Sequence, residues 1–262
     1  MKHRQTKMIR FRLKISLASL TATVLLSLLY SPFHVFAEEI DCLMCHEPLS
    51  KGKVVHPAIQ MGCPTCHTAI DASKIPHKTT NKIAKGLSSK QPDLCFNCHD
   101  KTKFQKKTVH AAIEMVGCTG CHNPHSSAKQ KLLRSEPPEL CFNCHDKTEF
   151  SKKNVHMPVA GGMCLSCHTP HASEHIALLN KEPVNVCLEC HEDIKKKPHV
   201  MQSFSALGHP TGIQAKDIAD PARQGRKLYC GSCHNPHSSE SPRLFRYKAD
   251  SSFQLCANCH KK

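Results

Sequence analysis

Tryptophan is absent from this 262-residue chain, tyrosine occurs three times, and aromatic residues together make 5% of it. A nucleic-acid surface, which would interleave its basic residues with aromatics or arginines, is thereby disfavoured. Strand signals are weak as well, and the Pro, Ser, Asn and Lys residues between motifs point to loops. No cysteine is spare. All eighteen fall in nine Cys-x-x-Cys-His runs, which leaves none for a separate disulfide framework. None stands directly behind the amino-terminal leader, which argues against a lipid-anchored form.

The nine runs carry the chemistry. They are Cys42, Cys45 and His46; Cys63, Cys66 and His67; Cys95, Cys98 and His99; Cys118, Cys121 and His122; Cys141, Cys144 and His145; Cys164, Cys167 and His168; Cys187, Cys190 and His191; Cys230, Cys233 and His234; and Cys256, Cys259 and His260. Two thiols three residues apart share one side of a helical turn and can form thioethers to both vinyl groups of a haem. The histidine that follows then serves as the proximal iron ligand. Zinc ribbons pair one CxxC with a distant partner and need no histidine fused to the second cysteine. A thioredoxin-like site would supply one CxxC, not nine. The expected cofactors are nine covalently bound c-type haems.

The amino terminus fits export. Residues 1–14 hold six basic side chains and no acid, and the apolar run Ile15–Tyr30 follows. Pro32 breaks the run, and Val35-Phe36-Ala37 offers a small-residue cleavage pattern before Glu38, so residues 1–37 read as a secretory signal peptide. A retained anchor is the competing reading, because the run to Phe36 is long enough to span a bilayer. Pro32 and His34 weigh against it. Haem of this type is attached outside the bacterial cytoplasm, so the expected location is the periplasm. An extracellular or outer-membrane-associated location is the alternative.

The formal charge is +15, from 36 Lys and Arg against 21 Asp and Glu. Six of the bases lie in the leader, leaving 30 against 21. Haem propionates would neutralise that excess when the irons are ferric, so the lysines read as counter-charges and solvated surface. Past the leader the chain has about 25 residues per motif, too few for a side-chain core around each cofactor. The porphyrins themselves must form the core.

The chain also repeats itself. Leu94-Cys95-Phe96-Asn97-Cys98-His99-Asp100-Lys101-Thr102 returns 46 residues later as Leu140 to Thr148. The tail Cys121-His122-Asn123-Pro124-His125-Ser126-Ser127 returns at Cys167 to Ser173 and at Cys233 to Ser239. The organisation expected is a signal peptide at 1–37, a divergent first di-haem unit at 38–94, a second at 95–140, and a third at 141–186. A fourth with an insertion follows at 187–255, and a lone ninth motif at 256–262. Short helices are predicted to start near Asp93, Glu139 and Pro183, where Pro or an acid favours a first turn. The fold class is a multihaem cytochrome c of short α-helices and irregular loops wrapped around a chain of nine haems, with little β-structure.

In these motifs the sequence resembles the doubled-CxxCH-motif family of multihaem c-type cytochromes, common in anaerobic, metal- and sulfur-respiring bacteria. The resemblance covers residues 42–260. It implies bis-histidine haems packed in a chain that carries electrons, with other redox proteins as partners.

Ten histidines remain outside the motifs and the leader, and nine bis-histidine haems need nine distal ligands. His56, His110, His156 and His209 align between motifs, and His125, His171 and His237 align in the Pro-His tails. His77 is the first unit's displaced tail histidine. A tail histidine leaves on the proximal side of its own iron, so it is expected to cap a neighbour. His199, in the fourth unit's insertion, is the candidate for the ninth motif. His175 occupies a place held by Lys129 and Ser241 in sister units and reads as a spare, exposed helix histidine. Met44, Met61, Met115, Met157, Met163 and Met201 are competing axial ligands, read as packing residues.

Iron with a histidine on each face has no open position for substrate. The expected function is an electron conduit in anaerobic respiration, not an enzyme, with no catalytic residues. It would link a quinol-oxidising complex or periplasmic donor to a downstream periplasmic or outer-membrane cytochrome. Membrane contact would come only through a partner unless the leader is retained. A multihaem oxidoreductase of nitrite, hydroxylamine or tetrathionate type would need one open site, yet every motif keeps its histidine. A filament- or porin-associated conduit is the third reading, suggested by motifs near both ends.

Overall fold

The computed structural model describes residues 40–195, 199 and 218–260. The leader, His209 and Met201 lie outside the described residues. The chain divides into residues 1–41 and 42–262, and the second unit contains every motif.

In all nine motifs the histidine N–H donates to the carbonyl of the first cysteine, at 2.9–3.1 Å. That bond closes one α-turn and sets the two thiols and the imidazole on a shared side. Short helices carry the leading motifs at Asp93–Phe96, Glu139–Phe142 and Pro183–Leu188. They begin where the prolines and acids predict. After two of them an aspartate caps the next turn: Asp100 accepts from Thr102 N–H at 3.0 Å, and Asp146 from Thr148 N–H at 2.9 Å. The caps start the 3-10 turns Lys101–Phe104 and Lys147–Phe150.

Among the described residues the β-structure is eight strands of two residues and four isolated bridges. The strands are β1 (Val54–Val55), β2 (Ile70–Asp71), β3 (Lys78–Thr79), β4 (Thr108–Val109), β5 (Ser126–Ser127), β6 (Asn154–Val155), β7 (Ala172–Ser173) and β8 (Ser238–Ser239). β2 and β3 form a hairpin inside the first unit. The other three antiparallel pairs each join consecutive units: β1 with β5, β4 with β7, and β6 with β8. Such short strands show no hydrophobic alternation, which is why the sequence signal is weak. The tail positions at these joints are small and buried, with Ser126, Ala172, Ser173, Ser238 and Ser239 all at 8% exposure or less. Ser238 is fully enclosed and donates to the Glu149 carbonyl at 2.8 Å.

Little else is buried. Among the described residues the buried hydrophobic side chains are Ala69, Ala172, Leu188, Leu228, Phe245 and Ala249. Burying even a large apolar side chain contributes about 1.5–3 kcal/mol, while ordering one residue's backbone costs about 1–2 kcal/mol. Half of this set is alanine, so the polypeptide alone cannot offset the ordering of its own loops. Met44, Met61, Met115, Met157 and Met163 are exposed on the polypeptide. They present apolar surface of the kind a porphyrin face covers. Among the described residues, no helix is long and apolar enough to cross a membrane.

The polypeptide made without haem attachment is therefore expected to give the far-ultraviolet circular dichroism of an unfolded chain, with no cooperative thermal transition. A native-like spectrum that melts sharply would refute this account of the core.

Candidate functional site

Eight of the histidines outside the motifs each meet a motif histidine. Ring centroids lie 5.9 Å apart for His46 and His77, 6.1 Å for His99 and His56, and 6.0 Å for His67 and His125. The series continues with His145 and His110 at 6.1 Å, His122 and His171 at 6.0 Å, and His191 and His156 at 6.1 Å. It ends with His168 and His237 at 5.9 Å and His234 and His199 at 6.0 Å. Two imidazoles bound through nitrogen at about 2.0 Å on opposite sides of one metal would have centroids about 6.2 Å apart. The paired rings therefore fit the two faces of a single haem iron. A zinc site would instead gather four ligands, and no cluster of three or more His, Cys, Asp or Glu suited to a metal is present among the described residues.

The pairing follows one rule of exchange. An inter-motif histidine reaches forward to the leading motif of the next unit: His56 to His99, His110 to His145, His156 to His191. A tail histidine reaches back to the second motif of the preceding unit: His125 to His67, His171 to His122, His237 to His168. Among the described pairs, two lie beyond the rule. The first motif has no preceding unit and meets His77 from its own. The eighth motif has no following tail and meets His199 from the insertion. This corrects the assignment of His199 to the ninth motif: its ring faces His234 of the eighth. His209, the inter-motif histidine of the fourth unit, lies outside the described residues.

The joints between units hold these ligands. His56 N–H donates to the His125 carbonyl at 2.7 Å, His110 N–H to that of His171 at 2.8 Å, and His156 N–H to that of His237 at 3.0 Å. Each bond extends a strand pair by one residue and fastens two distal histidines back to back. Phe104 packs against His171 with centroids 4.9 Å apart, and Phe150 against His237 at 4.8 Å. Neither phenylalanine was singled out from the sequence, although both close the repeated stretch that follows Cys-Phe-Asn-Cys-His.

Backbone carbonyls fix the protonation of the rings. His67 Nδ1 lies 2.9 Å from the Lys85 carbonyl, His122 Nδ1 2.8 Å from that of Lys131, His168 Nδ1 2.9 Å from that of Ala177, and His234 Nδ1 2.8 Å from that of Arg243. A carbonyl can only accept, so Nδ1 carries the proton and Nε2 keeps a lone pair for a metal. At the fifth and seventh motifs the carbonyl serves the distal ring instead, Pro170 for His110 and Pro236 for His156, both at 2.9 Å. Burial adds to this by disfavouring the charged form: it lowers the imidazoles of His125, His171 and His199, and that of His237 to about 4.

The four carbonyls that serve second-motif histidines come from strained turns. Lys85, Lys131, Ala177 and Arg243 have φ of 62°, 54°, 53° and 55°. The residue after each, Gly86, Leu132, Leu178 or Leu244, is also left-handed. A non-glycine residue there costs about 1–2 kcal/mol. The turn recurs where a carbonyl must face the proximal ring. Its sequence trace is the recurring apolar pair Leu132-Leu133, Leu178-Leu179 and Leu244-Phe245.

The cysteines give the order of sites. Within units Cys95 lies against Cys118, Cys141 against Cys164 and Cys187 against Cys230. Across units Cys66 acts on Cys95, Cys144 on Cys121, Cys190 on Cys167 and Cys259 on Cys233. From the second motif to the ninth, neighbours in sequence are thus neighbours in space.

The fourth unit's insertion returns over the eighth motif. Asp220, 3% exposed, pairs with Arg223 at 2.7 Å, and Arg223 reaches the Ser232 hydroxyl inside the motif at 2.9 Å. Arg246 Nε donates to the Gly231 carbonyl at 2.7 Å. His175 is neither exposed nor helical: it precedes the 3-10 turn Ile176–Leu178, its side chain is 25% exposed, and Nδ1 lies 3.2 Å from Glu182. The acid at Glu182, beside the next helix, gives this spare histidine its partner.

Replacing His199 by Ala should turn one haem high-spin, with the change falling on the eighth motif. Replacing His175 by Ala should leave the electron paramagnetic resonance spectrum unchanged. A high-spin signal in the His175 variant alone would reverse the assignment.

No curated protein matches the chain. The doubled CXXCH motif family model matches four times, at residues 56–104, 110–150, 156–196 and 220–262. Its copies start half a repeat away from the units read above, and the first three open on His56, His110 and His156. In that phase each of those three histidines faces the second motif of its own copy, while the tail histidine still crosses to the copy before. With covalent c-type haem as cofactor and electron transfer as the family's role, the chain belongs to the doubled CXXCH motif family of multihaem c-type cytochromes.

Proposed function

We propose that the chain is an exported nonahaem cytochrome that carries electrons in anaerobic respiration. Its donor is a quinol-oxidising complex or a periplasmic redox protein, and its acceptor a downstream periplasmic or outer-membrane cytochrome. The nine Cys-x-x-Cys-His runs support the haem count, and the charged, apolar leader ending at Ala37 supports export. The carrying observation is the succession of paired imidazoles about 6 Å apart at consecutive motifs.

Bound haem supplies a one-electron iron couple whose potential follows its axial ligands and their hydrogen bonds. The cysteines of each motif would anchor it, and the paired histidines would hold it from both sides, leaving no standing open position for a substrate. Carbonyls at Lys85, Lys131, Ala177 and Arg243 hold the proximal rings in one tautomer and raise their basicity. Joints at His56 and His125, His110 and His171, and His156 and His237 fix the separation of successive sites, so little rearrangement accompanies a change of charge.

Intact mass of protein from a host with haem-maturation machinery should show nine covalent haem increments on a chain beginning at Glu38. The ferric protein should show only low-spin iron by electron paramagnetic resonance. Seven or eight increments in a fully matured sample, or a lasting high-spin fraction near one in nine, would count against a nine-site conduit.

A further inference from the structure

The first motif differs from its neighbours in how its distal histidine is held. Six distal histidines are fastened in back-to-back pairs by joints between units. His77 has no such joint: it ends the six-residue loop 72–77 that connects β2 to β3 inside its own unit. Residues 74–77 are exposed, Ile75 by 87%. Among the described residues the one hydrogen bond of the His77 ring is to the carbonyl of Lys74, three residues back in the same loop, at 2.7 Å. The loop is tied at its base, where Asp71 binds the Ser73 hydroxyl at 2.5 Å and the Lys74 ammonium at 2.9 Å. Exposed ties of this kind hold a loop weakly, and losing them changes its opening severalfold at most. The His46 and His77 rings are also tilted by 52°, against 11–35° in the six jointed pairs.

We propose that His77 is an exchangeable ligand, and that the face of the first motif opposite His46 is a binding site for a small π-acceptor ligand of the carbon monoxide or nitric oxide class. This rests on the reading that His46 and His77 flank one haem. The loop 72–77 swings while β2 and β3 stay paired, and the ring carries its bond to Lys74 with it. His46 stays in place, because its motif is tethered by two thioethers. The exchange moves no electron or proton: a neutral imidazole withdraws its lone pair and a neutral ligand donates one. At the jointed sites the same movement would break a strand pair between units and drag the distal histidine of a second site with it. Local opening is therefore concentrated in a loop that, among the described residues, has no strand joint to another unit to break.

The test is carbon monoxide binding to the reduced, full-length holoprotein under anaerobic conditions, followed by Soret difference spectra. The wild type should take up one equivalent per nine haems, slowly. Asp71→Ala, which unties the loop base, should keep that stoichiometry and bind severalfold faster. His77→Ala should also take up one equivalent, at least tenfold faster, and should be high-spin before addition. No uptake by the wild type overturns the proposal. So does a second equivalent in His77→Ala, which would put the wild-type site at another haem, and so does an unchanged rate in Asp71→Ala. Intact mass separates the two readings. Nine haem increments without uptake overturn the exchange alone; eight, with Cys42 and Cys45 free, overturn the haem assignment and the proposal with it.

Discussion

A hydrogen bond from the amide of an inter-motif histidine to the carbonyl of a tail histidine recurs at His56, His110 and His156. It fastens two axial side chains aimed at different motifs onto one short strand pair. A two-residue antiparallel pair has no independent stability in water. On the proposed ligation it persists because each of its strands ends in a histidine whose ring faces a motif histidine, and each motif would be fixed by its thioethers. The strand pair needs the haems, and the haems need the strand pair to keep their ligands in register. Stability is thus shared between covalent attachment, ligation and backbone bonding, and a conventional apolar core is unnecessary.

The same economy explains where strain is found. Left-handed conformations at Lys131, Ala177 and Arg243 are unfavourable alone, yet they recur in every regular unit at the same place. Each turns a carbonyl toward a proximal imidazole that would otherwise be free to rotate or to bond water. A ring fixed in this way is a stronger donor to iron, so the turn sets an electronic property as well as an orientation. In the fifth and seventh motifs the carbonyl lies on the distal side, at Pro170 and Pro236. The array therefore contains two alternating kinds of site, built from one repeat.

An exchange rule leaves unmatched positions at the ends of any finite array, and this chain meets each with a local solution. At the start, the tail histidine of the first unit is displaced to His77 and caps the first motif. Near the end, the insertion supplies His199, and its return segment pairs Asp220 with Arg223, which donates to Ser232 inside the eighth motif. The two solutions differ in strength. One is an exposed hairpin loop, while the other adjoins a half-buried ion pair.

What the sequence determined by itself is local. Thiols and proximal histidines are set within five residues, so Cys-x-x-Cys-His closes in one helical turn wherever it occurs, and the nine motifs, the repeat and the short helices at Asp93, Glu139 and Pro183 were all legible. The identity of most distal candidates was legible too, because the repeat aligns them. Which iron each one serves was not. Partners lie 31 to 69 residues apart, and no spacing rule distinguishes His199 facing the eighth motif from His199 facing the ninth. That choice belongs to the tertiary structure: a histidine ligates the site that its strand joint or loop brings within reach, and those joints rest on backbone groups that every residue carries. For the same reason the carbonyls of Lys85, Lys131, Ala177 and Arg243 are not legible as ligand supports: the apolar pairs that follow three of them mark only a turn, and the fold decides which ring each carbonyl holds.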